Sequence, residues 1–371
     1  MGRLVSVGNV VVDLVLEIDQ LPELGGDVVA SGSAVTAGGG LNTLVAARRD
    51  GAEVAFGGQY GTGPFGDVVR AALADADVDV LQPGLVDVDS GWCVALVDAS
   101  TERTFVTTVG AEGQLTRADL DRVRPVAGDV AFVSGYGLAH PVNSEAIVDW
   151  VASLADEVRV VLDPSPLVAT LPPQALEAVV ARADVVSANA REARLLSPTS
   201  SSLAEAAESL SRRARGAALV RDGAAGCWVA DRGRPAVLVA GFPVEALDTN
   251  GAGDAHAGVL VAALLRGTPL LEAVRRANAA AALATTRRGP ATGPTAAETD
   301  ALLARQAAAR PVSADGRIVP RMSTNDSTPS TAPDGSTENI TDEQATYTDE
   351  LPDGKKDGLV DDDKDSESTD S

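Results

Sequence analysis

Between Leu4 and about residue 310, short apolar runs alternate with helical patterns, and this alternation narrows the fold more than any other feature of the sequence. Leu4 to Val7, Val54 to Phe56, Val130 to Val133, Val158 to Leu162, Val185-Val186 and Ala217 to Val220 read as strands. Helical patterns fall at Leu44 to Arg49 and Asp67 to Ala76. Strands separated by helices pair in parallel, with helices on both faces of the sheet. Such sheets bind ligands in the loops at the carboxyl ends of their strands, where Asp13, Asn189 and Gly223 are expected to lie. Two stretches break the alternation. One runs from about Val10 to Gly32; the other is a hairpin-like pair, Trp92 to Val97 and Thr104 to Val109.

With 371 residues, 45% of them hydrophobic, the chain can bury one large α/β core or two smaller ones. From about Pro311 onward Ser, Thr, Asp, Pro and Gly dominate and apolar residues become sparse, ending in Asp361-Asp362-Asp363. Residues 311–371 therefore read as a disordered acidic tail, either an interaction arm or a solvated appendage. No apolar run approaches the roughly 18 residues of a membrane span, and no basic stretch leads into an apolar one at the N-terminus. The expectation is a cytoplasmic protein without a membrane partner. Met1 to Ser6 formally fits a myristoylation pattern but runs straight into the first strand, and Asn339-Ile340-Thr341 is a glycosylation acceptor only in a secreted chain.

The net charge of −23 leaves no basic face for nucleic acid, and none is expected as a partner. All three lysines (Lys355, Lys356 and Lys364) lie in the tail, so residues 1–321 hold 27 arginines and no lysine. That excludes a P-loop kinase and a Schiff-base enzyme, each of which needs a lysine at its reacting centre. Cys93 and Cys227 each sit in an apolar strand-like stretch and read as buried free thiols. His140 and His256 are too few for a histidine-rich metal centre.

Residues 248–258 read Asp-Thr-Asn-Gly-Ala-Gly-Asp-Ala-His-Ala-Gly and run into the apolar helix Val259 to Leu265. Small residues entering a helix leave backbone N–H groups unpaired at its positive end, which attracts anions. Asp254 stands at the mouth of this cradle. A carboxylate there can take the proton of an attacking hydroxyl while the amides stabilise a transferring phosphoryl group. As a lone Asp it would simply cap the helix.

This segment resembles the C-terminal motif of the PfkB, or ribokinase-like, family of carbohydrate and nucleoside kinases. Gly38-Gly39-Gly40-Leu41-Asn42 resembles the family's Gly-Gly-x-x-x-Asn sugar-binding motif, Gly8-Asn9-Val10-Val11-Val12-Asp13 its strand-end motif, and Asn189-Ala190-Arg191-Glu192 its Asn-x-x-Glu element. The motifs keep the family's order from residue 8 to about 293. The resemblance implies a Rossmann-like three-layer α/β/α ribokinase-like fold over residues 1–310, with a small β lid formed by about 10–32 and 91–110. It also implies ATP and Mg²⁺ as cofactors and phosphorylation of a primary hydroxyl on a sugar; a nucleoside, as in adenosine kinases, stays open, and the spacing from Gly8 to Asp13 leans that way.

By the same resemblance Asp254 is the base and the amides of Gly251, Ala252 and Gly253 hold the developing charge. Asp13, Gly39, Gly40 and Asn42 bind the acceptor; Asn189 and Glu192 orient water on magnesium; Gly223 and Asn278 lie near the adenine. Asp248, with backbone groups of Asn250, Ala284 and Gly289, holds a monovalent cation such as K⁺, although Gly293 stands where the family has a further hydroxyl. A homodimer through the lid is implied as well. Taken without the resemblance, the glycine run is a turn capped by Asn42, Asp13 a polar strand end, and Asn189 with Glu192 a capping box. Gly63 also departs from the family, where many members carry Asp in Gly-x-Asp-x-x-Gly. The resulting Gly61-x-Gly63-x-x-Gly66, with Asp87 about 20 residues on, fits a dinucleotide fingerprint and leaves an NAD-binding dehydrogenase as the rival reading.

Overall fold

A computed structural model describes residues 2–99 and 103–308; the expected acidic tail at 311–371 lies outside the described residues. In chain order the strands are β1 (Leu4–Ser6), β2 (Val10–Glu17), β3 (Gly32–Gly39), β4 (Val54–Phe56), β5 (Asp79–Val80), β6 (Trp92–Val97), β7 (Arg103–Thr108), β8 (Val130–Ser134), β9 (Arg159–Asp163), β10 (Val185–Asn189), β11 (Ala217–Arg221), β12 (Gly226–Asp231) and β13 (Val237–Ala240). The helices are α1 (Gly40–Arg49), α2 (Pro64–Asp75), α3 (Arg117–Leu120), α4 (Gly135–Leu138), α5 (Pro141–Ser153), α6 (Pro173–Arg182), α7 (Ala190–Leu196), α8 (Leu203–Arg213), α9 (Ala252–Leu265), α10 (Leu270–Thr285) and α11 (Ala296–Ala308).

Nine strands form the main sheet in the order β13-β12-β11-β10-β9-β8-β1-β4-β5. From β5 to β11 every pairing is parallel, as the alternation requires. The strands beyond Gly223 turn back instead, so β12 and β13 are antiparallel at the edge, a turn the apolar pattern did not announce. Apolar residues of α1, α2, α9 and α10 pack on one face of the sheet, and those of α5 to α8 on the other. From β1 the chain steps outward to β4 and β5, then crosses to β8 and proceeds the other way. The switch point between β1 and β8 opens a crevice at their carboxyl ends, the expected place for a ligand.

The two stretches that break the alternation form a separate four-stranded sheet, β3-β2-β6-β7. Its first half is longer than the expected 10–32: β3 runs to Gly39 and delivers the chain directly into α1. Helix α1 thus starts at Gly40, four residues before the apolar pattern at Leu44, and α2 starts at Pro64 and not at Asp67. Glycine and proline hid both starts, because neither adds to a periodic apolar pattern. Both cysteines are buried and free. No helix among the described residues is long and apolar enough to cross a membrane.

At the closed end of the fold, Asp50 follows α1 with its side chain fully buried, accepting from Arg276 Nε (3.0 Å) and from Arg266 (2.6 Å). One carboxylate therefore ties α1 to both α9 and α10. Asp50→Asn should lower stability by about 2–3 kcal/mol, below the ~3–5 of a fully buried pair because Arg266 keeps part of its surface in water. Urea unfolding should show a lower midpoint with the slope unchanged.

Candidate active site

The loop before α9 turns through Gly251, whose φ of 72° lies in the left-handed region that glycine reaches without strain. Of the three expected amides, that of Ala252 already donates to the Thr249 carbonyl (3.2 Å), because the turn closes on itself there. Gly251 and Gly253 are left with N–H groups that no main-chain acceptor takes among the described residues. Of the three amides expected to hold an anion, two are thus left without a main-chain partner among the described residues.

Asp254, in the first turn of α9, accepts from Asn42 Nδ2 (3.1 Å) and from Thr43 Oγ1 (3.0 Å), both on α1. Burial pushes its carboxyl up to about 6, the two hydrogen bonds opposing and Asp163 adding to the shift. Asn42 is itself buried, and its Oδ1 accepts from the Ala291 N–H (2.9 Å). Asn42, expected among the residues that bind acceptor hydroxyls, holds the Asp254 carboxylate with its amide. Thr43 carries no motif signal and was missed. His256, two residues on and on the opposite side of α9, is a core residue, held neutral by burial that lowers it to about 3; its Nε2 donates to Asn278 Oδ1 (3.2 Å).

Asn278 is likewise engaged within the fold. Its Nδ2 donates to the carbonyls of Val239 (2.9 Å) and Ala240 (3.3 Å), so the amide that was expected near adenine fastens β13 to α10. Gly223 opens the turn after β11 with open space around it, at the edge of the same floor.

The glycine run works through close approach. Counted back from Asn42, the Gly-Gly-x-x-x-Asn spacing falls on Ala37-Gly38, not on Gly38-Gly39 as the run suggested. Ala37 is buried against the core, whereas a Cβ on Gly38 would collide with the Asp13 carboxylate. The Gly40 N–H donates to the Asn9 carbonyl (2.7 Å), which leaves no room for a side chain at either Gly39 or Gly40. These glycines bring the lid's first strand down to the crevice. Asp13 lies on that strand, in register with Thr36 on one side and Cys93 on the other.

Beside the start of α9 lies a cation that sequence reading missed. Arg221, the last residue of β11, donates from Nη1 to Asp163 Oδ2 (2.9 Å) and Ser187 Oγ (3.2 Å), and its Nη2 lies 3.6 Å from Glu192 Oε2. Its guanidinium is 3.7 Å from where a Cβ on Gly253 would stand. The lack of lysine in the globular part was the available signal, since a phosphate site then has only arginine to draw on.

Asn189 and Glu192 form a complete capping box: Glu192 N–H donates to Asn189 Oδ1 (2.8 Å), and Asn189 N–H to Glu192 Oε2 (2.7 Å). Burial first, then Asp163, pushes the Glu192 carboxyl up, with Arg221 opposing. No cluster of three or more His, Cys, Asp or Glu that could cage a metal exists among the described residues.

The residues expected at a monovalent cation do converge. Asp248 accepts from the N–H groups of Asn250 (2.9 Å) and Gly289 (3.1 Å), and the Thr285 carbonyl beside Ala284 accepts from Asp248 N–H (3.1 Å). The Ala284 carbonyl accepts from Arg287 N–H (3.1 Å). Close by, Arg49 donates to the carbonyls of Ala291 (2.9 Å) and Gly293 (2.8 Å), where the family's further hydroxyl is missing.

The rival dinucleotide loop is overturned. The space beside Gly63 is filled by the Asp89 carboxylate, which accepts the N–H groups of Phe65 (3.2 Å) and Gly66 (2.7 Å). A pyrophosphate would meet a negative charge where the fingerprint needs bare amides.

Comparison with known proteins agrees with this geometry. The chain matches the pfkB family carbohydrate kinase profile over residues 1–297. It is 32% identical to the uncharacterized sugar kinase YegV of Escherichia coli (strain K12), covering 79% of this chain and 91% of the relative. It is 28% identical to the ribokinase of Haemophilus influenzae, covering 77% and 93%. Among solved structures, the ribokinase of Thermotoga maritima aligns with a TM-score of 0.71 at 21% identity, covering 82% of this chain and all of that one. A putative ribokinase II from E. coli in complex with ATP and Mg²⁺ aligns at 0.70 and 23%, with 82% and 100% covered. At such identities these structures show the fold.

The carboxyl of Asp254 should titrate near 6 by carbon-detected NMR, because burial disfavours its charge. Asn42→Ala and Thr43→Val should each raise that value, since both hydrogen bonds favour the ionised form. A value in the ordinary range near 4 would mean that the site is hydrated.

Proposed function

Because this chain belongs to the pfkB family of carbohydrate kinases, we propose that it transfers the γ-phosphoryl group of ATP to a primary hydroxyl of a sugar, with Asp254 as the base. The observation that carries this reading is the Asp254 carboxylate, raised to about 6 and held by Asn42 and Thr43 in the same turn as the free amides. A base titrating there is ionised at neutral pH yet still accepts a proton readily.

Asp13 on the lid strand accepts hydrogen bonds from the acceptor and turns its reacting hydroxyl toward Asp254. The amides of Gly251 and Gly253 receive the phosphoryl oxygens as charge develops on them. Arg221, locked by Asp163, Ser187 and Glu192, adds a fixed positive charge under the same oxygens. Magnesium, arriving with ATP, supplies further neutralisation of the phosphates, and Asn189 and Glu192 orient its waters. Gly223 stands toward the nucleotide end. The Asp248 cluster would hold a monovalent cation beside the hole. With the lid over the acceptor, water is kept from the phosphoryl group.

We also propose a homodimer built lid to lid. Val35, Leu14, Val94 and Val106 are in register across all four lid strands, on the face away from Asp13. Val35 and Val106 are each more than half exposed, which a second copy of the same face would cover.

Two measurements test these readings. Asp254→Asn keeps the size of the side chain but cannot take the proton, so kcat should fall by about 10²–10⁴-fold. The assay is ADP release with D-ribose, D-fructose and adenosine as acceptors; a variant turning over like wild type would remove Asp254 as base, and adenosine as the sole acceptor would replace the sugar by a nucleoside. In light scattering the protein should run as a dimer, and Val35→Glu with Val106→Glu should release monomers. A monomeric wild type ends the lid-to-lid proposal.

A further inference from the structure

Asp89 lies where the chain enters the lid hairpin, yet its carboxylate reaches back to α2. The N–H groups it accepts, those of Phe65 and Gly66, are the ones that a residue at the start of a helix normally satisfies with its own side chain. That starting position is Gly63, whose extended backbone (φ −102°, ψ −170°) would suit an aspartate. A Cβ there would run into Asp89. The cap of α2 is thus delivered from the foot of the lid. The Asp89 carbonyl also accepts from Ala111 N–H (2.9 Å), in the turn that follows the hairpin's returning strand.

A second carboxylate completes the joint. Glu112 is only 3% exposed, and accepts from Gly91 N–H at Oε2 (2.7 Å) and from Gly110 N–H at Oε1 (2.9 Å). These glycines are the two feet of the β6–β7 hairpin, one just before β6 and the other just after β7. The Glu112 carbonyl accepts from Asn143 Nδ2 (2.7 Å), which anchors the joint to α5. None of these groups takes part in the chemistry. However, β6 pairs with β2 from Trp92 to Val97, and β2 carries Asp13. The angle of the hairpin therefore decides where Asp13 stands over the crevice.

We propose that Asp89 and Glu112 are positioning residues that fix the β6–β7 hairpin, and through β2 the acceptor carboxylate Asp13, by tying the hairpin's feet to each other and to the start of α2. The proposal deepens the kinase reading and rests on it. It also gives a purpose to Gly61-x-Gly63-x-x-Gly66: the loop is a socket for Asp89.

The test moves the carboxylate. Asp89→Ala removes both the cap and the tie, whereas Gly63→Asp with Asp89→Ala restores the cap from within the α2 loop and leaves the tie broken. The double variant should melt like wild type, while its KM for the best acceptor among D-ribose, D-fructose and adenosine stays raised by about tenfold to a hundredfold and its KM for ATP is unchanged. Glu112→Gln leaves the α2 cap intact and should give the same split, since glutamine offers one acceptor oxygen where two amides need partners. Hydrogen exchange reads the tie without substrate: in the double variant the β6–β7 amides should exchange faster than in wild type while those of α2 do not. A double variant with wild-type acceptor KM and wild-type exchange in the hairpin would make Asp89 a helix cap and nothing more. Wild-type kinetics in Glu112→Gln would overturn the proposal equally. The kinase reading fails separately, if the wild-type enzyme phosphorylates none of the three acceptors.

Discussion

Asp254 is held by two side chains of a different helix, and this is possible only because α1 and α9 lie in close contact. A Cβ on Gly258 would collide with the Thr43 carbonyl and crowd Ala46, so the helices touch backbone to backbone one turn after the carboxylate. Everything at the crevice follows from that approach. It brings Asn42 and Thr43 within hydrogen-bond reach, keeps bulk water off the carboxylate and aims the start of α9 at the lid. Small residues along both helices (Ala46, Ala47, Ala255 and Ala262) keep the contact tight, and a larger side chain at any of them would act on the site from within the core.

The electrostatics of the floor follow from the same economy of parts. Asp163 and Glu192 flank one guanidinium, that of Arg221, whose charge also reaches Asp254, in the place where the proposed reaction puts the phosphates. Burial raises the Glu192 carboxyl, so near neutrality the floor carries less negative charge than its composition suggests, while Asp254, at about 6, stays ionised. Arg221 is fixed by its carboxylates before any ligand arrives, so no conformational search is needed when the phosphates enter.

Much of this was legible in the sequence, and the reasons differ from element to element. The parallel sheet showed in the apolar runs because a strand buried on both faces must be apolar throughout. Asp254 and its glycines showed because an anion hole needs small residues at a helix start. Arg221 did not show, since a single arginine at a strand end has no pattern; only the tertiary approach of β11 to α9 gives it meaning. The partners that Asn42 and Asn278 have within the protein were not legible, because an amide serves a ligand or the fold equally well and only the tertiary hydrogen bonds reveal the second. The antiparallel edge at β12 and β13 was missed because alternation says nothing of direction once the helices stop.

The placement of the α2 cap also bears on how the chain folds. A helix of 12 residues is marginal by itself in water, and this one lacks a side-chain cap of its own until residue 89 exists. During synthesis α2 emerges well before that residue, so its first turn stays open to water until the hairpin's entry has been made and docked. The lid foot and the β4-α2-β5 unit consequently become ordered as one cooperative block. In this chain the order in which structure consolidates does not follow the order of the sequence.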